Sequence, residues 1–182
     1  EEYPSIFQRS KCDEKGNIIH YKDSNGFEIW RKFDKNNNEI YSKNSNDFEE
    51  WKEFDEKNRL IHFKDSDGNE VWREYDENNN CTHYKNSSGY EIWSKYNERG
   101  DKIYHKDSLG FENWSEFDGR NNRIQYKNSD GFEIWSKYDE RGNLIYYKDS
   151  YGYEFWREYD ERNNCIYFKN SDGYEKFFSP EK

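Results

Sequence analysis

Four histidines, three cysteines, a serine column and two carboxylate columns are the residues of this chain that could carry chemistry. His20, His62 and His83 recur at multiples of 21 residues, and His105 lies one place off that interval. On an antiparallel sheet, equivalent positions of successive hairpins lie two strands apart, roughly 9 to 10 Å. That is too far for His62 and His83 to share a metal held at about 2 Å by each, so the histidines read as variable members of an aromatic column. No serine, cysteine or carboxylate stands outside the repeating pattern as a lone nucleophile or an acid–base pair would. The serines and aspartates fall in turn signals, and the calcium-binding Gly/Asp nonapeptide is absent. Cys12, Cys81 and Cys165 have no metal or redox spacing and read as packing residues. The expectation is a protein that is not an enzyme, with no catalytic residue, metal or cofactor.

The elements that position these residues follow from the repeat. Eight ungapped 21-residue units start at residues 12, 33, 54, 75, 96, 117, 138 and 159. Position 19 collects every tryptophan: Trp30, Trp51, Trp72, Trp93, Trp114, Trp135 and Trp156, with Phe177 in the last unit. Position 11 is Lys, position 13 Ser and position 17 Glu in all eight units; position 15 is Gly except at Asp47, and position 2 is Asp except at Asn97. A fixed period over the whole chain is the mark of a repeat array. Residues 1–11 then form a capping half-repeat with Arg9 at the tryptophan place, residues 12–179 the array, and residues 180–182 a tail begun by Pro180.

Two turn signals punctuate each unit. Asp/Asn-Ser-x-Gly, as in Asp149 to Gly152, suits a type I turn followed by a left-handed glycine, a three-residue hairpin loop. Asp-x-x-Gly/Asn, as in Asp139 to Gly142, again ends on a residue that tolerates positive φ and reads as a four-residue loop. The remaining fourteen residues make two strands rich in Tyr, Phe, Trp and Ile. The fold class is therefore all-β: an antiparallel up-and-down meander of eight β-hairpins, about seventeen strands, in one elongated or curled sheet. Loops of three and four residues put position 19 opposite position 9 and position 17 opposite position 11, both within a unit and toward the next, so every unit shows the same side chains to the same face. Two three-residue loops would flip the faces of successive units, and the alternation of Asp and Asn at position 12 keeps that arrangement open. In the favoured register, positions 1, 8, 10, 16 and 18 form a core face. The other face carries the tryptophans beside Tyr41, Tyr104, Tyr146 and their equivalents, with each interior lysine between two glutamates.

With 37% charged residues and 31% hydrophobic ones the chain would ordinarily fail to fold, but 17 Tyr, 13 Phe and 7 Trp concentrate its apolar surface in rings. A net charge of −10 argues against direct nucleic-acid binding and against docking on an anionic membrane. No apolar run is long enough to span a bilayer and no signal peptide is legible; with an odd cysteine count this points to thiols in a reducing, cytoplasmic compartment.

The unit Y-D-x-x-G-N-L-x-x-x-x-D-x-x-G, formed by Tyr138, Asp139, Gly142, Asn143, Leu144, Asp149 and Gly152, resembles the YD repeat of the RHS family, and the resemblance covers about residues 12 to 179. It implies a β-sheet of the kind that, in long arrays, forms a spiralling shell around a toxin or binds carbohydrate. Eight units are few to enclose a cargo, no autoproteolytic core or toxin segment is expected here, and Asn replaces Gly in the second turn of five units. A weaker likeness, through Tyr146 to Gly152, is to the aromatic repeats that bind choline or glycans at cell walls.

Seven aligned tryptophans with rings beside them exceed the apolar patch that a monomer usually exposes. Lysine stems and a second copy of the chain, as a homodimer, are one way to cover them. The functional expectation is a protein-binding module acting through this aromatic and acidic face, its binding residues being the seven tryptophans with Tyr41, Tyr104 and Tyr146. One alternative is a small acidic inhibitor of a nucleic-acid-handling protein, as in phage or mobile-element antidefence, whose carboxylates occupy a basic groove. The other is a glycan or choline binder. Glu50, Leu109, Asn113 and Tyr151 depart from their columns.

Overall fold

The computed structural model describes residues 9–178; most of the expected N-terminal cap, and Pro180 with the C-terminal tail, lie outside them. Seventeen strands follow one another from Arg9–Cys12 to Glu175–Phe177, with no helix among the described residues, in one antiparallel up-and-down sheet. The chain divides into two compact units, Glu1–Glu91 and Ile92–Lys182, and one hairpin geometry repeats within each.

Inside a hairpin the register is the expected one. His20 lies opposite Trp30 and Lys22 opposite Glu28 in the first unit; Tyr146 lies opposite Trp156 and Lys148 opposite Glu154 in the second. The turn closing this last hairpin is a type I turn with a left-handed fourth residue. The Gly152 N–H donates to the Asp149 carbonyl at 3.2 Å and the Asp149 N–H to the Tyr153 carbonyl at 3.0 Å. The Asp149 carboxylate also accepts the N–H groups of Tyr151 and Tyr153 at 3.0 and 3.1 Å.

The second turn corrects the sequence reading. It is the same three-residue loop: Gly142 N–H to the Asp139 carbonyl at 3.1 Å, Asp139 N–H to the Asn143 carbonyl at 2.9 Å, and the Asp139 carboxylate accepting the N–H groups of Arg141 and Asn143. Two such loops need an even number of residues per unit if successive units are to show the same face, and 21 is odd. A β-bulge absorbs the difference. Between hairpins Phe54 faces Leu60 and Glu53 faces His62, with Ile61 left over; Tyr96 faces Lys102 and Lys95 faces Tyr104, with Ile103 left over. The isoleucine column, expected in a core, is thus the bulge column, half-buried throughout. The arrangement with alternating faces is excluded by the same pairs.

The bulge also changes what faces each lysine. Toward the next hairpin Trp51 sits opposite Lys64 and Trp156 opposite Lys169, so a lysine lies between its own glutamate and the preceding tryptophan rather than between two glutamates. The glutamates find serines instead. The Glu49 N–H donates to Ser66 Oγ at 3.0 Å and the Ser66 N–H returns to the Glu49 carbonyl at 2.9 Å, with Glu133 and Ser150 doing the same in the second unit. Position 13 therefore ties each turn to the hairpin before it. The asparagines of the second turn serve similarly: Asn38 Nδ2 donates to Asn58 Oδ1 and Asn143 Nδ2 to Asn163 Oδ1, both at 2.9 Å. Asparagine accepts positive φ, 60° at Asn58 and 65° at Asn163, and adds a side-chain link that glycine cannot.

The expected core face is not a core. Phe155, at 8% exposure, is the only buried apolar side chain among the described residues. Rings pack side by side across strands: Tyr147 stacks on Phe155 at 5.2 Å, and the Arg157 guanidinium lies 4.4 Å from the Phe155 ring centroid. Where Ser42 and Glu50 replace apolar residues, charge takes over, with Lys52 Nζ 3.0 Å from both Glu39 and Glu50. Burial opposes the Lys52 ammonium, and the two carboxylates outweigh it, so its pKa is raised. Arg9 stands opposite Lys22, the place that a tryptophan takes in the later hairpins.

Two measurements follow. Deleting Ile103 removes the bulge residue yet leaves every pair of Lys102–Asp107 with its neighbour intact, so the protein folds at a cost of about 1–3 kcal/mol in urea unfolding. Deleting Asn113, which is paired one-to-one on both sides, inverts the strand beyond it and abolishes the cooperative transition; equal costs would refute the bulge assignment. Second, hydrogen bonds from Asn17, Asn38, Asn80, Asn122, Asn143 and Asn164 hold the carboxylates of Asp13, Asp34, Asp76, Asp118, Asp139 and Asp160 below the ordinary aspartate value of 3.8. A depressed folded pKa contributes stability above the unfolded value and loses it as pH falls through the folded one. Thermal midpoints should therefore drop steeply below about pH 4; a flat profile from pH 5 to 2.5 would contradict this.

Candidate functional site

The tryptophan face is built hairpin by hairpin. In the first unit His20 stacks on Trp30 with ring centroids 5.2 Å apart and planes 10° apart, and His62 on Trp72 at 5.4 Å and 13°. Tyr41 meets Trp51 at 5.8 Å, tilted by 52°. In the second unit Tyr104 and Tyr146 meet Trp114 and Trp156 at 5.7 Å, tilted by 46° and 48°, and Tyr167 meets Phe177 at 4.8 Å. Six of the seven tryptophans are 36–39% exposed, and Trp135 is half-buried. Each is flanked by a lysine of the following strand, and about three-fifths of the surface of the six is covered.

Sequence reasoning placed rings opposite tryptophans and lysines opposite glutamates but missed the diagonal that joins the two pairs. In the hairpins of Glu28, Glu49, Glu91, Glu112 and Glu154 the position-17 glutamate is a hub. Glu28 takes Lys22 Nζ on Oε1 at 2.6 Å and lies 2.8 Å from His20 Nε2 through Oε2. Glu112 takes Lys106 Nζ at 2.8 Å and the Tyr104 hydroxyl at 3.1 Å, and Glu154 takes Lys148 Nζ at 2.8 Å and the Tyr146 hydroxyl at 3.3 Å. The legible signal was the constancy of Glu at position 17 beside a donor-bearing ring at position 9 in every unit except that of Gln125.

The electrostatics follow from the hub. The lysine ammonium, with the ring donor second, holds Glu28 below the usual carboxylate range. Glu112 and Glu154 are likewise lowered, first by their lysines. Desolvation first and the neighbouring glutamate second push the hydroxyls of Tyr41 and Tyr104 upward. These carboxylates stay ionised at neutral pH and are not poised as general acids. His105, on the opposite face, packs against Phe111 at 6.3 Å with a buried, unpartnered Nδ1, and burial lowers its pKa below 6.5. Among the described residues no group of three or more His, Cys, Asp or Glu side chains could hold a metal. Cys165 donates its thiol proton to the Tyr167 carbonyl at 3.2 Å. Leu109 and Tyr151 are 84% and 83% exposed at turn tips, with Tyr151 stacked on Phe132.

No family model and no curated protein matches the chain. Solved structures do. The chain is similar to TcdB2-TccC3-Cdc42, with a TM-score of 0.60 at 14% identity over 92% of this chain and 11% of that one. It is similar to TcdB2-TccC3 alone, with a TM-score of 0.59 over the same shares, and to the form without its hypervariable C-terminal region, with a TM-score of 0.60 over 88% of this chain and 10% of that one. The repeat fold is RHS-like. This chain spans about a tenth of the length of the proteins it matches, and at this identity the likeness concerns the fold alone.

Removing one ring tests how far the face is structural. Trp72→Ala gives up about 120 Å² of covered surface, so urea unfolding should show a loss of about 2–3 kcal/mol. A change under 0.5 kcal/mol would mean that the ring contributes nothing to the fold.

Proposed function

We propose that the chain is a non-enzymatic repeat module that binds a protein partner through its tryptophan face. The observation that carries this reading is the exposure of six tryptophans at 36–39%, at one position of successive hairpins, with no second layer over them among the described residues. Aromatic rings held rigid by their neighbours lose little entropy on binding and are the side chains that dominate protein interfaces. The ionised glutamates and paired lysines beside them supply a polar rim. The absence of a poised acid, base or nucleophile on either face supports a binding role over a catalytic one.

The test keeps the fold and changes the face. Phenylalanine occupies the tryptophan place at Phe177, so Trp51→Phe with Trp72→Phe preserves the hairpins, as an unchanged thermal transition should confirm. Wild type immobilised against lysate of the producing cells should retain a protein that the double variant loses. Retention of nothing, or of the same protein by both forms, overturns the reading. So does a wild-type dimer in light scattering that the double variant dissolves, because the face would then serve a second copy.

A further inference from the structure

The array contains its own control experiment at Gln125. In the two hairpins centred on His62 and His83, the position-9 imidazole lies between two carboxylates. His62 has Nδ1 3.3 Å from Glu53 and Nε2 2.8 Å from Glu70, and His83 has Nδ1 3.4 Å from Glu74 and Nε2 3.1 Å from Glu91. The register places Gln125 in the same surroundings: Glu116 opposite it on one side, Trp135 on the other, and Lys127 opposite Glu133. Everything around the imidazole is kept and only the ring is replaced.

The consequences are visible. Neither Gln125 nor Glu116 makes a side-chain hydrogen bond or ion pair among the described residues. Lys127 lies 3.7 Å from Glu133 and is 54% exposed; the pairs at Lys22, Lys43, Lys85, Lys106 and Lys148 span 2.6–3.1 Å, while among the described residues Lys64 and Lys169 make no ion pair with Glu70 and Glu175. An open groove of about 310 Å³ lies between Trp114, Glu116, Gln125 and Lys127, and a second of about 540 Å³ adjoins it through Glu116 and Gln125 and reaches Trp135.

We infer that the larger groove, which reaches Trp135, receives the imidazole of a histidine side chain from a partner polypeptide. The ring stacks on Trp135 and offers its two nitrogens to Glu116 and Glu133, as His62 does to Glu53 and Glu70. A phenol fits less well. Where a lysine precedes the ring, at Lys32, Lys95 and Lys137, the ring is tyrosine with the ammonium over its face, 5.1–5.5 Å from the centroid. Here the preceding residue is Glu116, as Glu53, Glu74 and Glu158 precede His62, His83 and Tyr167. The two imidazoles engage the glutamates on both sides, whereas the Tyr167 hydroxyl donates to Glu175 alone, because imidazole has a second nitrogen that phenol lacks. This assignment deepens the protein-binding reading and rests on it for the source of the ring.

The experiment follows the seven indole N–H resonances of the labelled protein during titration with 4-methylimidazole, p-cresol and methyl glucopyranoside. The expected result is a saturable shift at Trp135 and Trp114 with 4-methylimidazole, about tenfold weaker with p-cresol. The shift should be lost in Gln125→His, where the chain supplies its own ring, and weakened in Glu116→Gln. Should Gln125→His fail to fold, Gln125→Tyr closes the same space. Shifts spread equally over all tryptophans, shifts that survive Gln125→His, or a preference for p-cresol or the sugar would overturn the proposal. These readouts concern the groove alone, so their failure is distinct from failure of the partner capture above.

Discussion

Among the described residues, side chains find their partners on the strands beside them or on the turn of the next hairpin. No layer covers either face within a unit, and Phe155 is the one buried apolar residue among those described. Apolar area must therefore be removed from water edge to edge along the sheet, which favours large flat groups: rings, and long stems such as Arg157 over Phe155 and Phe168. Aliphatic side chains would leave gaps between strands spaced nearly 5 Å apart. A hydrophobic content too low for a globule is enough when it is mostly aromatic, because each ring is shared by two neighbours.

The same constraint explains the charge. A lysine between a glutamate and a tryptophan serves both, pairing its ammonium with one and laying its stem along the other. A glutamate that takes a lysine on one oxygen and a ring donor on the other fixes the ring against its tryptophan, as Glu28 does for His20. Removing any one of these groups takes a partner from two others, which accounts for the regularity of the columns.

Period, strand content, turn positions, faces and the pairing inside each hairpin were legible because each is written in residue type: glycine or asparagine at positive φ, aspartate or asparagine accepting turn N–H groups, rings at alternate positions. The bulge was not legible. Ile61 and Ile103 look like core residues, and nothing in an isoleucine distinguishes a bulge from a regular strand place. That one residue shifted the pairing between hairpins, and with it the partners of every lysine and serine. The candidate site was read correctly as a column but incompletely as a network, because the link from ring to glutamate runs diagonally and depends on side-chain reach rather than on register.

An array in which each hairpin touches only its neighbours can change one hairpin without disturbing the rest. Regularity is then the structural background, and function belongs to the departures from it. Leu109 and Tyr151 are large apolar groups on turn tips that are polar in the other six units. Gln125 is a different kind of departure, since it leaves intact a set of groups that elsewhere hold a ring. A substitution that only weakened the hairpin would give Glu116 no reason to persist without a side-chain partner, whereas one that exchanged an internal ring for an external one would keep it.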